Sequence, residues 1–427
     1  MGFHSRTISF YMLRSPQVFS NKATLAVMLA VQGLCLPMGS RANAQVLPAQ
    51  LPDSAPLGLR GISLPGATTQ FGPAEGLKGV FAYGFGVQSS YYTNFFLDES
   101  NPESELAINV VPWITYSSDP EGGAPFSFTA TYQPNIKTYV NNPDFDGVDN
   151  SGSINMRIEG SKTLITAYTN YNTVSGTDRF SGTFVTASLL GSGIRCTYQV
   201  APRTSIFTNW TFAKTDYGSE QLVGSEIYNT EIGGFWSATE RFSLGPAISY
   251  SREESTNTGT RDAWALSMQA QYLMATKFQF RGSLGFQYST NSRDSGSATL
   301  GLTGDLAAVY AINENLHWTN SVHYQTVPSS SDVNYVINNL AVTTSLTRQL
   351  LRASVSLGLE INISDYAEVG TVGTQLNQEN NLSTVLSYRR KLFLDRVDFD
   401  SSIRYTMNDG NRNWNQLQIA AGITIPF

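Results

Sequence analysis

From Leu77 to the C-terminus the chain repeats one pattern, a stretch of alternating apolar and polar residues followed by a turn. In residues 277–289, Phe278, Phe280, Leu284, Phe286 and Tyr288 share one face with Gly282, while Lys277, Gln279, Arg281, Ser283, Gln287 and Ser289 occupy the other. In 352–363, Ala353, Val355, Leu357, Leu359, Ile361 and Ile363 oppose Arg352, Ser354, Ser356, Glu360 and Asn362. In 396–407, Val397, Phe399, Ile403 and Tyr405 oppose Asp398, Asp400, Ser402 and Arg404. A period of two sustained this long predicts strands with one greasy face and one wet face.

A soluble β-sandwich also alternates, so the connections have to discriminate. About eighteen segments (16–18) begin near residues 78, 104, 125, 150, 163, 184, 204, 224, 241, 262, 277, 297, 315, 334, 351, 379, 396 and 413. Even-to-odd connections are mostly tight, as at 159–162, 201–203, 238–241, 313–315 and 347–350. Odd-to-even ones are longer and polar, as at 141–152, 252–261, 291–297 and 364–379. Short turns on one rim and long loops on the other predict an all-β transmembrane antiparallel up-and-down barrel of the bacterial outer membrane. An even strand count also returns both barrel ends to the periplasm.

The final segment is the most specific. Leu417, Ile419, Ala421, Ile423, Ile425 and the terminal Phe427 fall on alternate positions, with Gln416, Gln418 and Thr424 between them. An apolar alternation ending in an aromatic resembles the signal read by the outer-membrane barrel assembly machinery, which that resemblance implies as a partner.

The N-terminus fits export. Arg6, Arg14 and Lys22 precede an apolar run from Ala23 to Leu36, and Ala42-Asn43-Ala44 offers a small-residue cleavage site. Residues 1–44 therefore read as a signal peptide and 45–76, punctuated by prolines, as a periplasmic tether. The barrel is expected over 77–427. Residues 1–44 hold four Lys/Arg and no acid, so the net charge of the remainder falls from −6 to −10. That acidity argues against nucleic-acid binding. Only Cys196 lies beyond the signal, which leaves no partner for an internal disulfide. Its parity, between Ile194 and Tyr198, puts it on the lipid side.

The early segments carry a family resemblance. Gly84-Phe85-Gly86-Val87 leads to Tyr91-Tyr92-Thr93-Asn94, then an acidic loop, then Leu106-Ala107-Ile108-Asn109-Val110-Val111-Pro112-Trp113. The layout resembles the β-barrel porin 2 family, with Thr93 standing where that family has Asp. The resemblance implies an outer-membrane barrel of porin type and brings no catalytic residues.

Parity assigns a set of charges to the lumen: Lys137, Arg157, Glu159, Arg195, Glu231, Arg281, Asp305, Arg352, Glu360, Asp398, Asp400 and Arg404. They read either as a lining that sets ion preference or as a solvated wall whose charges pair across strands. Trp210, Trp236, Trp264 and Trp318, with Tyr116, Tyr250, Tyr272, Tyr288, Tyr310 and Tyr388, fall on the outer face as headgroup-level girdles. Tyr92, Trp113 and Tyr139 are inward aromatics that could stack on sugars. His317 and His323 share the inner face of one segment but stand roughly 20 Å apart along it. Asp98-Glu99 with Glu103, and Asp144 and Asp146 with Asp149, are acidic runs that could hold Ca²⁺ but lack the spacing of a defined calcium loop. No enzyme activity, cofactor or resident metal is expected.

The leading expectation is a porin-like channel for passive diffusion of small hydrophilic solutes, embedded in outer-membrane lipid, with mild cation preference. Homo-oligomerisation stays open. Two other readings are a surface structural or adhesion barrel acting through its loops, and an outer-membrane exit for an exported polysaccharide.

Overall fold

The computed structural model describes residues 81–119, 124–178, 182–219, 222–255, 259–274, 277–292, 298–328, 335–368, 375–393, 396–410 and 412–427. Residues 1–44 and 45–76, expected as signal peptide and tether, lie outside these. Eighteen strands follow in chain order: β1 (Phe81–Tyr92), β2 (Glu105–Ser117), β3 (Phe126–Tyr139), β4 (Gly147–Glu159), β5 (Thr163–Thr177), β6 (Phe184–Ala201), β7 (Thr204–Tyr217), β8 (Ser225–Ser237) and β9 (Phe242–Ser255). The second half comprises β10 (Gly259–Met274), β11 (Phe278–Asn291), β12 (Ala298–Asn313), β13 (Leu316–Pro328), β14 (Tyr335–Gln349), β15 (Ala353–Glu368), β16 (Gln375–Leu392), β17 (Val397–Asp409) and β18 (Trp414–Pro426). Each strand pairs antiparallel with its sequence neighbours, and β1 closes the ring on β18 from Gly84–Pro426 to Tyr92–Gln418.

Closure satisfies every edge, which is what allows a sheet to stand in hydrocarbon. The distribution of polarity matches that setting. Gln88, Ser90, Asn109, Asn381, Gln416 and Gln418 are buried, while Leu284, Phe286, Leu300 and Ile232 are more than half exposed. A water-soluble protein has the opposite arrangement. Here the apolar face is solvated by lipid tails and the polar face lines the interior.

Ring contacts trace a girdle along the rim of short turns. They include Phe81–Tyr116, Tyr116–Phe128, Phe242–Tyr272, Tyr272–Phe278, Phe278–Tyr310 and Tyr388–Phe399, with centroids 5.0–6.4 Å apart. Phe427 joins it through Tyr83 and Phe85 of β1. Leu417, Ile419, Ile423 and Ile425 lie on the same outer face of β18, in register with outward residues of β1.

Strand starts follow the sequence expectation closely, with one kind of correction. The segments 141–152, 252–261 and 364–379, expected as loops, are partly strand: β4 begins at Gly147, β9 runs to Ser255 before β10 starts at Gly259, and β15 and β16 reach Glu368 and Gln375. Beyond the bilayer the outer face of a strand meets water in place of lipid, so the ladder continues after the alternation of polarity has stopped. Arg252 and Glu254, paired at 2.8 Å on the outer face of β9, illustrate this.

Candidate functional site: the barrel lumen and its mouth

The pairing register puts eleven of the twelve lumen-assigned charges on the inner face; the twelfth, Arg352, lies outside the ladder. Lys137 stands opposite Asn109, and Arg157 opposite Ser127 and Thr166, with Glu159 two residues on. Arg195, Asn209, Glu231 and Ser249 succeed one another across β6 to β9. Arg281 and Asp305 follow on β11 and β12, Glu360 on β15, and Asp398, Asp400 and Arg404 on β17. Arg352 sits in the turn before β15 and is exposed.

Accessibility of this inner face changes with height. On β17 Asp398, Asp400, Ser402 and Arg404 are half-exposed, whereas Thr406 and Asn408, nearer the long loops, are buried. On β15 Ser354, Ser356 and Glu360 are half-exposed, and Asn362 and Ser364 are buried. On these two strands the turn-side half is the wetter half, and that half of the wall holds eleven of the twelve charges. Lys137 alone lies in the packed half.

The wet half has several local pairings. Arg157 meets Glu159 at 2.6 Å, both half-exposed, and Arg389 meets Asp400 at 2.6 Å. Arg404 reaches Glu360 at 4.0 Å. Gln269 donates from Nε2 to Glu231 at 2.5 Å, and Ser283 Oγ donates to Asp305 at 2.5 Å. Arg195 lies 4.3 Å above the ring of Phe207, a cation–π contact. Phe207 in turn packs flat on the wall because Gly233 has no Cβ to displace it, and it stacks on Phe235 at 5.5 Å. Glu231 interacts electrostatically with both Arg195 and Asp305.

The packed half has buried pairs. Lys137 Nζ lies 2.5 Å from Asp149, with both side chains about nine-tenths buried, and donates to Ser175 O at 2.9 Å. Ser175 closes the unit, donating from N and Oγ to Asp149. Arg261 and Glu253 pair at 3.4 Å and are similarly enclosed. Asp149, Glu253, Arg261 and Arg389 were not among the expected site residues. Asp149, part of an acidic run expected in a loop, is carried inward to Lys137 by β4. Asp146 accepts from Tyr139 N at 2.7 Å, and Asp98 accepts from Ser100 N and Asn101 N. Those two backbone donors, Ser100 first, hold the Asp98 carboxyl below the ordinary value.

Tyr92, Trp113 and Tyr139 do point inward, but none presents a free ring to a sugar. All are buried; Trp113 lies over Gly84, and Tyr92 and Tyr139 pack on Phe95. Strand parity also places Tyr168, Phe207, Phe235 and Trp414 inward, four aromatics absent from the sequence reading. His317 and His323 share the inner face of β13 as expected, and Cys196 lies on the outer parity of β6.

In the segment between β1 and β2, residues 93–104, the first part, 93–98, folds against the inner wall and 99–104 are exposed. Phe95 is the centre of an aromatic cluster with Tyr92, Phe96, Tyr139, Phe145 and Phe184, at centroid distances of 5.1–6.2 Å. Phe145, from a 3-10 turn at Pro143–Phe145, stacks on Phe184 at 4.4 Å. Glu105, fully buried, accepts from Asn141 N and Asn142 Nδ2 and ties the next loop to this one. Leu97 is fully buried with φ 54, a conformation rarely adopted by residues other than glycine unless the surroundings enforce it.

No family model matches the sequence, and no curated protein does. Among solved structures, the outer membrane protein OpdK from Pseudomonas aeruginosa shares 9% identity at a TM-score of 0.43, covering 81% of this chain and 98% of OpdK. Acinetobacter baumannii OccAB3 shares 10% identity at a TM-score of 0.42, over 81% of this chain and 99% of that one. Similarity this low leaves function to be argued from the lumen itself.

Proposed function

We propose that this protein is an outer-membrane channel of porin type, of the kind its first segments resemble in the β-barrel porin 2 family, passing small hydrophilic solutes by diffusion. The single observation that supports this most is the inverted wall: an apolar exterior around a polar interior whose turn-side charges, such as Arg157, Glu159 and Asp400, stay accessible to water. An eighteen-stranded barrel is wide enough for an aqueous passage. Water in it explains why Arg157, Glu231, Arg281, Asp305 and Asp400 can stand inward within a bilayer.

The twelve lining charges divide evenly between cationic and anionic, so the wall has no strong sign of its own. Glu99, Glu103, Asp144 and Asp146 are exposed on the long-loop side. They would enrich cations at the entrance and give the channel mild cation preference, screened by salt. Residues 1–44 act as the export signal, 45–76 as a periplasmic tether, and the outward row ending in Phe427 as the assembly signal. Turns then face the periplasm and long loops the exterior. Liposome swelling with neutral sugars of graded size tests the reading. Swelling that falls with solute size supports a diffusion pore; vesicles that hold folded barrel and swell with none of the sugars refute it.

A further inference from the structure

We propose that residues 93–104 are the size filter of this channel, and that Arg412 and Asn94 are the positioning residues that hold the filter across the mouth. This rests on the channel reading above.

The segment leaves β1 and, instead of rising into solvent, is stitched to the far end of the chain. Thr93 N donates to Leu417 O at 3.0 Å, and Leu417 N donates to Thr93 Oγ1 at 2.9 Å. Asn94 then uses nearly all its polar capacity. Its Nδ2 donates to Asp98 O and Asn415 O, its Oδ1 accepts from Asp98 N, and its carbonyl accepts from Gln416 Nε2 at 2.6 Å. That side chain both bends the loop and fastens it to β18.

Arg412, between β17 and β18, completes the span. Its Nη2 donates to Leu97 O at 2.8 Å, and its guanidinium lies flat on Gly182, which has φ +70 and belongs to the segment between β5 and β6. Any Cβ at position 182 would collide with that guanidinium. Asn408 Nδ2 holds the Arg412 carbonyl at 2.7 Å. From the same β5–β6 side Thr177 Oγ1, at the end of β5, donates to Phe95 O at 2.7 Å.

Phe95 and Leu97 are two residues apart, yet their carbonyls are held from β5 and from the β17–β18 connection. Those elements are separated around the wall by β18 and β1 to β4. The loop therefore crosses the opening as a chord rather than following the rim. Its core is the Phe95 cluster, and the buried Leu97 is locked in an unfavourable backbone region. A flexible flap needs neither feature. The arrangement describes a fixed bar that narrows the passage for any solute, charged or neutral.

The test is sugar uptake into liposomes by the full-length protein and by Arg412→Ala and Phe95→Ala. Both sites lie outside the strand ladder, and heat-modifiable migration on gels reports whether the barrel is closed. Neutral sugars make the readout independent of the charge lost at Arg412. The expected result is that both variants admit larger sugars than the parent and show greater single-channel conductance. Closed-barrel variants that keep the parent's size cut-off would overturn the proposal. Impermeability of all three would instead refute the channel reading on which it rests.

Discussion

The two halves of the lumen use charge differently. On the loop side, Lys137 and Asp149 are enclosed, joined at 2.5 Å and sealed by Ser175. On the turn side, Arg157 and Glu159 are joined at 2.6 Å with each side chain about half in water. The geometry is nearly the same, but the surroundings differ. A buried pair is held by the cost of leaving either member alone, whereas an exposed pair has water as a substitute partner. Charge in the upper half thus serves architecture, and charge in the lower half stays in contact with the water through which ions pass.

The largest expected effect follows directly. Lys137→Ala strands the Asp149 carboxylate and should lower unfolding stability by about 3–5 kcal/mol, read by urea titration of the barrel in detergent or lipid. Arg157→Ala should cost no more than about 1 kcal/mol in the same assay. Equal losses at the two sites would abolish the distinction.

Next comes the contrast between inner and outer faces. Leu284→Arg, at mid-strand on the lipid side, should cost about 2–4 kcal/mol. Its inward neighbour Ser283 should accept Arg with much less loss of stability, because water reaches that face. A similar penalty at both positions would argue against a wet lumen. A smaller, electrical effect is expected at Arg281→Glu, which should leave stability nearly unchanged and shift the reversal potential toward cations.

The smallest effect concerns pH. The Asp98 carboxyl is held below its ordinary value by the Ser100 and Asn101 amides. Its contribution to loop order is therefore complete above the ordinary carboxylate pKa and is lost as pH falls through the lowered value. Proteolytic cutting within 93–104 should stay constant through neutral pH and rise only in acid, and Asp98→Asn should remove that rise.

The wall could be read from the chain and the mouth could not. Alternation assigns each strand residue to lumen or lipid, so Arg195, Glu231 and Asp305 could be placed without coordinates. That signal fails in two circumstances. Where the outer face is polar as well, as at Arg252 and Glu254, strand looks like loop. Where contacts join distant segments, nothing periodic marks them: Asn94 and Gln416 are 322 residues apart, as one hydrogen bond shows. Asn94 stood out only as part of a short motif, and its use as a fastener depends on the closure of β1 on β18. Phe95 and Phe96 read as ordinary loop aromatics because a loop has no parity to say which way they turn.

The most direct test is ion conductance of the purified, refolded barrel in a planar bilayer with a salt gradient across it. Stepwise currents with a reversal potential biased modestly toward cations are expected from a water-filled passage with a balanced wall and an acidic mouth. A correctly inserted barrel that stays silent at every voltage would contradict it.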